Sequence, residues 1–206
     1  MDATARPIAT AVGALLFALL GSGVLGATEP GSAAFIAQNA VGLVAAVLPA
    51  LGVRGLGAAL QPRSAPDALL RWGIRCTVVG FACAAAMHAV AILGGALDGG
   101  GPGPDVAAQL AALAGVPLVV ASHLLYLGTS LVGAALLRCR RAPVVIGVLL
   151  AASLPIMLVG VPLGMSLDPA ASGGLIAWIA TEGQAGAAWF ALAAVRLGSR
   201  AGARSG

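Results

Sequence analysis

Few side chains in this sequence could do chemistry, and those few sit in unusual surroundings. Gln38 and Asn39, His88, His123 with Tyr126, and Glu182 with Gln184 all lie inside long apolar stretches. Glu182 falls near the middle of "LIAWIATEGQAGAAWFALAAVRL", residues 175–197. A carboxylate at the centre of a membrane helix costs roughly 2.5–3.5 kcal/mol on insertion scales, so an intramembrane acid is a functional candidate by default. Carboxylate and imidazole are the residue types of proton exchange. Glu182, His88, His123 and Asn39 therefore form the candidate intramembrane polar cluster.

The same residues admit other chemistries. Two histidines on neighbouring antiparallel helices are the ligand set of a b-type haem; no other cofactor signature accompanies them, and no cofactor is predicted. Ser122 beside His123, together with Glu182, contains the residue types of a hydrolytic triad. Adjacent helix positions do not face each other, however, and neither G-x-S-x-G nor H-E-x-x-H occurs. No catalytic residue and no metal ligand is assigned, and an enzyme is the lesser reading. The reading is an integral membrane protein with no assigned reaction and a buried polar pocket around Glu182; a small-molecule or proton-coupled transporter or channel is the alternative, and a b-type haem protein the lesser one.

The elements that must hold these residues are apolar throughout. The 206-residue chain is 60% hydrophobic and only 9% charged, against about 25% charged in a soluble domain. Its mean hydropathy is +1.01. That is too little charge to cover a water-facing surface, and the alternating segments of a membrane β-barrel are absent. Six apolar segments stand out, at 8–27, 33–53, 75–97, 115–137, 142–165 and 174–196, each long enough to cross a ~30 Å hydrocarbon core. Residues 198–206 read as a basic disordered tail. The first segment has an apolar run too long for a signal peptide and is expected as a retained helix.

The eleven cations are all arginine. Arg6 precedes the first segment. Arg54, Arg63, Arg71 and Arg75 flank the second connection, Arg138, Arg140 and Arg141 the fourth, and Arg196, Arg200 and Arg204 follow the last. The other connections hold only Glu29, Asp98, Asp105 and Asp168. This asymmetry places both termini in the cytoplasm and marks the arginines as topology signals rather than a nucleic-acid surface. The Ala, Gly and Arg bias without lysine fits a bacterium with a GC-rich genome, and hence the bacterial cytoplasmic membrane. The expected partners are the lipid bilayer and, as an open alternative, other copies of the chain in a homo-oligomer. Cys76, Cys83 and Cys139 show no C-x-x-C spacing and imply no disulfide.

Local signals refine the helices. "SAPDALLRW" places Asp67 three residues after Ser64, a capping-box-like start to the third helix, which enters the bilayer near Trp72. "DGGGPGP" at 98–104 is a turn-rich loop, and "DVAAQLAALAG" after it lies along the surface or lengthens the fourth helix, with Pro117 at the bend. Pro49 and Pro155 are expected to kink the second and fifth helices. Thirty glycines allow helices to approach closely. His123, Tyr126 and Ser130 share one stripe of the fourth helix; Trp178, Glu182, Gly186 and Trp189 share one on the sixth. With each segment centred in the bilayer, Asn39, His88, His123 and Glu182 fall in one layer, roughly 3–6 Å outside the midplane.

The run "LLYLGTSLVGAALLRCRRAPVVIGVLLAAS", followed by "TEGQAGAAWFALAAV", resembles a bacterial family of uncharacterised six-helix integral membrane proteins. That family ends its fourth helix in a short basic turn and a proline, and its last helix carries Glu a few residues before Trp, as Glu182 and Trp189 do. The resemblance implies the architecture and no activity. "LVGVPLGMSLDPAASGG" at 158–174 and "GLGAALQP" at 55–62 are fainter echoes of the two aquaporin boxes. Asp168 and Gln61 replace both box asparagines, Ala171 stands at the pore arginine, and 27 residues from Ala170 to Arg196 are too few for a half-helix and a full span. The fold class is thus all-α, a polytopic bundle of six transmembrane helices over residues 1–197. A phosphatase fused to the C-terminus is expected to be inactive; activity outside the cytoplasm would reverse the topology.

Overall fold

In a computed structural model the protein is described over residues 5–19, 32–61, 67–98, 115, 120–167 and 173–202. Within these residues it is all-α. The helices are α1 (Ala5–Leu19), α2 (Ala33–Leu60), α3 (Ala68–Asp98), α4 (Leu124–Cys139), α5 (Val144–Ala151) and α6 (Ser153–Ser166). A last rod comprises α7 (Gly174–Trp178), a π-helical segment (Ile179–Gly183) and α8 (Gln184–Gly202). Residues 99–104 of the loop, 105–114 of the stretch after it, Pro117, Ser64, Arg63, Arg204 and the acids Glu29, Asp105 and Asp168 lie outside the described residues.

Among the described residues, three helices are long and apolar enough to cross a membrane: Ala33–Leu60, Ala68–Leu97 and Val120–Cys139. The bent pair α5–α6 makes a fourth if it is one span, and α1 is a shorter apolar helix. Their outward faces carry exposed Ile8, Val12, Val44, Leu51, Val79, Val144, Val148 and Val159. Apolar residues on the outside as well as the inside point to a membrane-embedded protein.

Each rod packs on its neighbour in sequence, and α8 returns to α1, so the rods close into a ring. Small residues set the spacing. A Cβ on Gly73 would come within 2.8 Å of the Val132 backbone nitrogen, and one on Gly80 would meet the Leu125 backbone. Backbones this close exclude a side chain between them, the arrangement by which membrane helices gain dispersion contact. The middle of the ring is filled. Trp189 is fully buried and donates its indole N–H to Thr129 Oγ1 at 2.9 Å, tying α8 to α4 across the interior. Phe17 and Phe81 meet edge-on at 5.3 Å between centroids.

The helices depart from the sequence boundaries in explicable ways. α2 starts at a Ser32 cap, whose hydroxyl accepts the Phe35 N–H at 3.1 Å. It runs on to Leu60, past the expected end at 53, because Arg54 faces outward and does not interrupt it. Asp67 is itself the cap of α3, its Oδ1 accepting the Leu70 N–H at 3.0 Å. α8 continues to Gly202, so residues 198–202 are helical, where a disordered tail was expected. Residues 55–60 and 158–166 complete α2 and α6, so neither aquaporin-like stretch makes a half-helix within the described residues.

Pro155 bends its span as expected, and Pro49 lies inside an unbroken α2. The break between α5 and α6 is 46°. Proline lacks an N–H and its ring crowds the carbonyl four residues back, so backbone groups around residue 151 lose their helical partners. Neighbouring helices replace them. Ser130 Oγ on α4 accepts the Leu154 N–H at 2.9 Å, and Gln184 Nε2 on α8 donates to the Leu149 carbonyl at 2.5 Å. In hydrocarbon such repairs are what make a kink tolerable. Ser130→Ala is expected to destabilise the protein by about 1 kcal/mol, and by less in a Pro155→Ala background where the helix can close its own bonds. Thermal unfolding in detergent measures both; equal losses in the two backgrounds would contradict the account.

Candidate functional site

The polar residues of the ring separate into two pairs. On α2 and α3, His88 Nδ1 lies 3.0 Å from Asn39 Oδ1. The Asn39 amide nitrogen donates to the Phe35 carbonyl at 2.9 Å, so its oxygen faces the imidazole and Nδ1–H is the donor. The ring lies against Gly42, where any Cβ would collide with it. Gly42 on α2 thus receives the imidazole.

The second pair lines a cleft of about 420 Å³ between the start of α4, α6 and the α7–π segment. Ser122, His123, Tyr126, Trp178, Thr181 and Glu182 contribute to its wall. His123 and Tyr126 meet edge-on at 6.2 Å between ring centroids. The Tyr126 hydroxyl hydrogen-bonds to Thr181 and lies near Glu182. The Thr181 hydroxyl in turn donates to the Ala177 carbonyl at 2.7 Å. The indole N–H of Trp178 is buried without a hydrogen-bond partner among the described residues. On its other side the rod borders an apolar groove lined by Leu15, Leu19, Ile179 and Phe190.

Glu182 sits within the π-helical segment Ile179–Gly183. A π turn takes one residue more than an α turn, so it rotates everything before it relative to everything after it; such turns recur at functional sites. The even 3.6-residue stripe from Trp178 to Trp189 is therefore broken. Trp189 points into the core, while Trp178 and Glu182, both half-buried, line the cleft.

The expected single layer of four residues becomes two levels. Gly80 meets Leu125 and Gly73 meets Val132, which fixes the antiparallel register of α3 and α4. His88 lies eight residues past Gly80 and His123 two before Leu125, so six residues separate their levels. At 1.5 Å per residue they stand roughly 9 Å apart along the axis. Glu182 and His123 lie seven and six residues before Trp189 and Thr129, which bond to each other across the ring. They therefore stand level. The register comes from where glycines let helices touch, not from the midpoint of each apolar stretch.

A further polar constellation sits at the opposite end of the ring. Asp67 is buried, and its Oδ2 accepts from the Arg138 guanidinium and from the Cys139 thiol at 3.3 Å. Its backbone N–H donates to Gln61 Oε1 at 3.0 Å. Arg196 reaches the Arg141 carbonyl at 2.8 Å. This clasp joins the end of α2 to the starts and ends of α3, α4 and α8. Local sequence marks Asp67 only as part of a cap; its pairing with Arg138, 71 residues away, carries no local signal. Cys76, Cys83 and Cys139 are free thiols.

No protein-family model, no curated protein and no solved structure matches this chain.

The Leu70 N–H, followed by the Arg138 guanidinium, holds the Asp67 carboxyl down from 3.8 to about 2. A depressed carboxylate adds stability above its unfolded value, lost as pH falls through the folded one. Thermal stability is expected to drop between about pH 4 and pH 2 in the parent protein. Asp67→Ala should cost about 1–2 kcal/mol at neutral pH and flatten that drop. An unchanged acid profile in the variant would remove the clasp from the account.

Proposed function

We propose that the chain is a six-span integral protein of a bacterial cytoplasmic membrane, with both termini in the cytoplasm, that binds a small polar molecule beside Glu182 and exchanges a proton there. The observation that carries this reading is the placement of Glu182 on a π segment, level with His123, in the wall of an open cleft. An acid and an imidazole sharing one wall can hold one proton between them or pass it to a ligand. The lining of carboxylate, imidazole, phenol, indole and two hydroxyls suits a small molecule with a positive charge, which the aromatic faces and the acid both attract.

The topology has support of its own. Arg6 packs over Gly55, near the end of α2, and Arg138, Arg140, Arg141 and Arg196 cluster about the clasp. Arginines gathered at one end fit a cytoplasmic face, with the cleft toward the other. The five residues of the π segment let α7 and α8 act as one rod of membrane-spanning length. The haem reading is disfavoured, because His88 is engaged by Asn39 and stands about two turns from the level of His123.

Trp178 lies in the same cleft wall and reports on it. Its fluorescence, taken as the difference between the parent and Trp178→Phe proteins, is expected to change in one step as pH is varied in detergent. Glu182→Gln should abolish the step and leave the melting temperature within a few degrees of the parent. A step that persists in Glu182→Gln, or no step in the parent, would refute the proton site.

A further inference from the structure

One arginine holds a backbone conformation that suits it poorly. Arg140 closes α4 with φ 49 and ψ 40, the left-handed region, and is the single non-glycine residue with positive φ among those described. The hydrogen bonds are those of a Schellman ending: the Arg140 N–H donates to the Leu137 carbonyl at 3.3 Å and the Arg141 N–H to the Leu136 carbonyl at 3.1 Å. Glycine is the usual residue at this position, because a Cβ there crowds the following carbonyl. The other arginines of this turn are used within the protein. Arg138 pairs with Asp67, and Arg141 reaches the Gln61 carbonyl at 3.5 Å. Arg140 makes no side-chain hydrogen bond or ion pair among the described residues, and it is exposed. Beyond the backbone bonds of the helix end, no side-chain contact of Arg140 among the described residues offsets the local strain.

The neighbouring rim shows what lies outside. The clasp brings the start of α3 to the end of α4. One turn into α3, Arg71, Trp72 and Arg75 are all exposed on its outer face, Trp72 at 56%. The Arg75 guanidinium sits 5.2 Å over the Trp72 ring. An exposed indole flanked by cations at the rim of an apolar bundle is the residue set of a membrane interface, where the ring sits at headgroup depth and the cations meet phosphate. No acidic side chain among the described residues is exposed on this rim; Asp67 is buried in the clasp.

We infer that Arg140, with Arg71 and the Trp72–Arg75 pair, forms a docking surface for the headgroups of anionic phospholipids. The chemistry is a phosphate diester recognised by guanidinium groups, with the acyl chains against the apolar outer face of α3. Arginine suits the role because its planar fork can donate two hydrogen bonds to one phosphate. The partner is the lipid rather than a free anion, since Trp72 and the exposed Val79 continue the surface into the hydrocarbon.

The test uses the full chain in neutral detergent, with phosphatidylglycerol, phosphatidylcholine or inorganic phosphate added. Phosphatidylglycerol is expected to bind in native mass spectrometry and raise the melting temperature, whereas phosphatidylcholine and inorganic phosphate should do neither. Arg140→Gly relieves the left-handed backbone, so its melting temperature without lipid should equal or exceed the parent's. Its phosphatidylglycerol binding should nonetheless be about fivefold weaker. Arg71→Gln is expected to weaken binding similarly, which keeps the surface testable apart from the helix end. Parent-like lipid binding by Arg140→Gly, or an equal response to phosphatidylcholine or inorganic phosphate, would overturn the inference.

Discussion

Inside hydrocarbon there is no water to satisfy a backbone group, so every interruption of a helix must be repaired by the protein itself. This chain interrupts two of its rods, at Pro155 and at the π segment, and the rest of the structure is arranged around those repairs. Ser130 from α4 and Gln184 from α8 both reach into the proline break. They hold three rods in one relation to each other, which is also the relation that forms the cleft wall. Gln184 follows the π segment directly, so the residue that mends one break is placed by the other. The Trp189–Thr129 bond then fixes α8 to α4 below the cleft. Glu182 is held by a frame anchored on both sides.

The two ends of the ring do different work. One end is basic and locked. Asp67, capped and paired, gathers α2, α3 and α4, and Arg196 adds α8. The other end is open and carries the carboxylate, imidazole and phenol in one wall. A locked basic end gives the open end a rigid base, and rigid support is what a binding constellation requires. The inferred lipid surface extends that base into the surrounding headgroups. Arg140 then has a reason to occupy a position where glycine would be less strained.

Much of this could be read from the residues. Hydropathy alone gave the all-α class and the apolar rods, and proline gave the bend at Pro155. The stripe His123, Tyr126, Ser130 was legible in part: Tyr126 and Ser130 lie on regular α4 and face partners on neighbouring rods, while His123 stands at the turn just before it and meets Tyr126 of the same rod. The pairing of Asn39 with His88, and the placement of His123 and Glu182 in one cleft wall, were only half legible. Their depths depend on register, and register depends on where Gly73, Gly80 and Gly128 let backbones touch. That is a property of pairs of helices, invisible in either one. The π turn was hidden because one extra residue in a helix leaves composition and hydropathy unchanged. The Asp67–Arg138 pair was hidden by its 71-residue separation. Residues 198–202 looked like a tail because small and basic residues are common in tails, but they are also acceptable at a helix C-terminus.

The proposed site depends on movement of the Glu182 proton. Infrared spectroscopy of the protein in lipid, recorded across pH, observes it directly through the carbonyl stretch of a protonated carboxyl. The account predicts a band that disappears as pH rises, returns as pH falls, and is missing at every pH in Glu182→Gln. A spectrum of the parent protein that does not change with pH, or a titrating band that survives in Glu182→Gln, would contradict it.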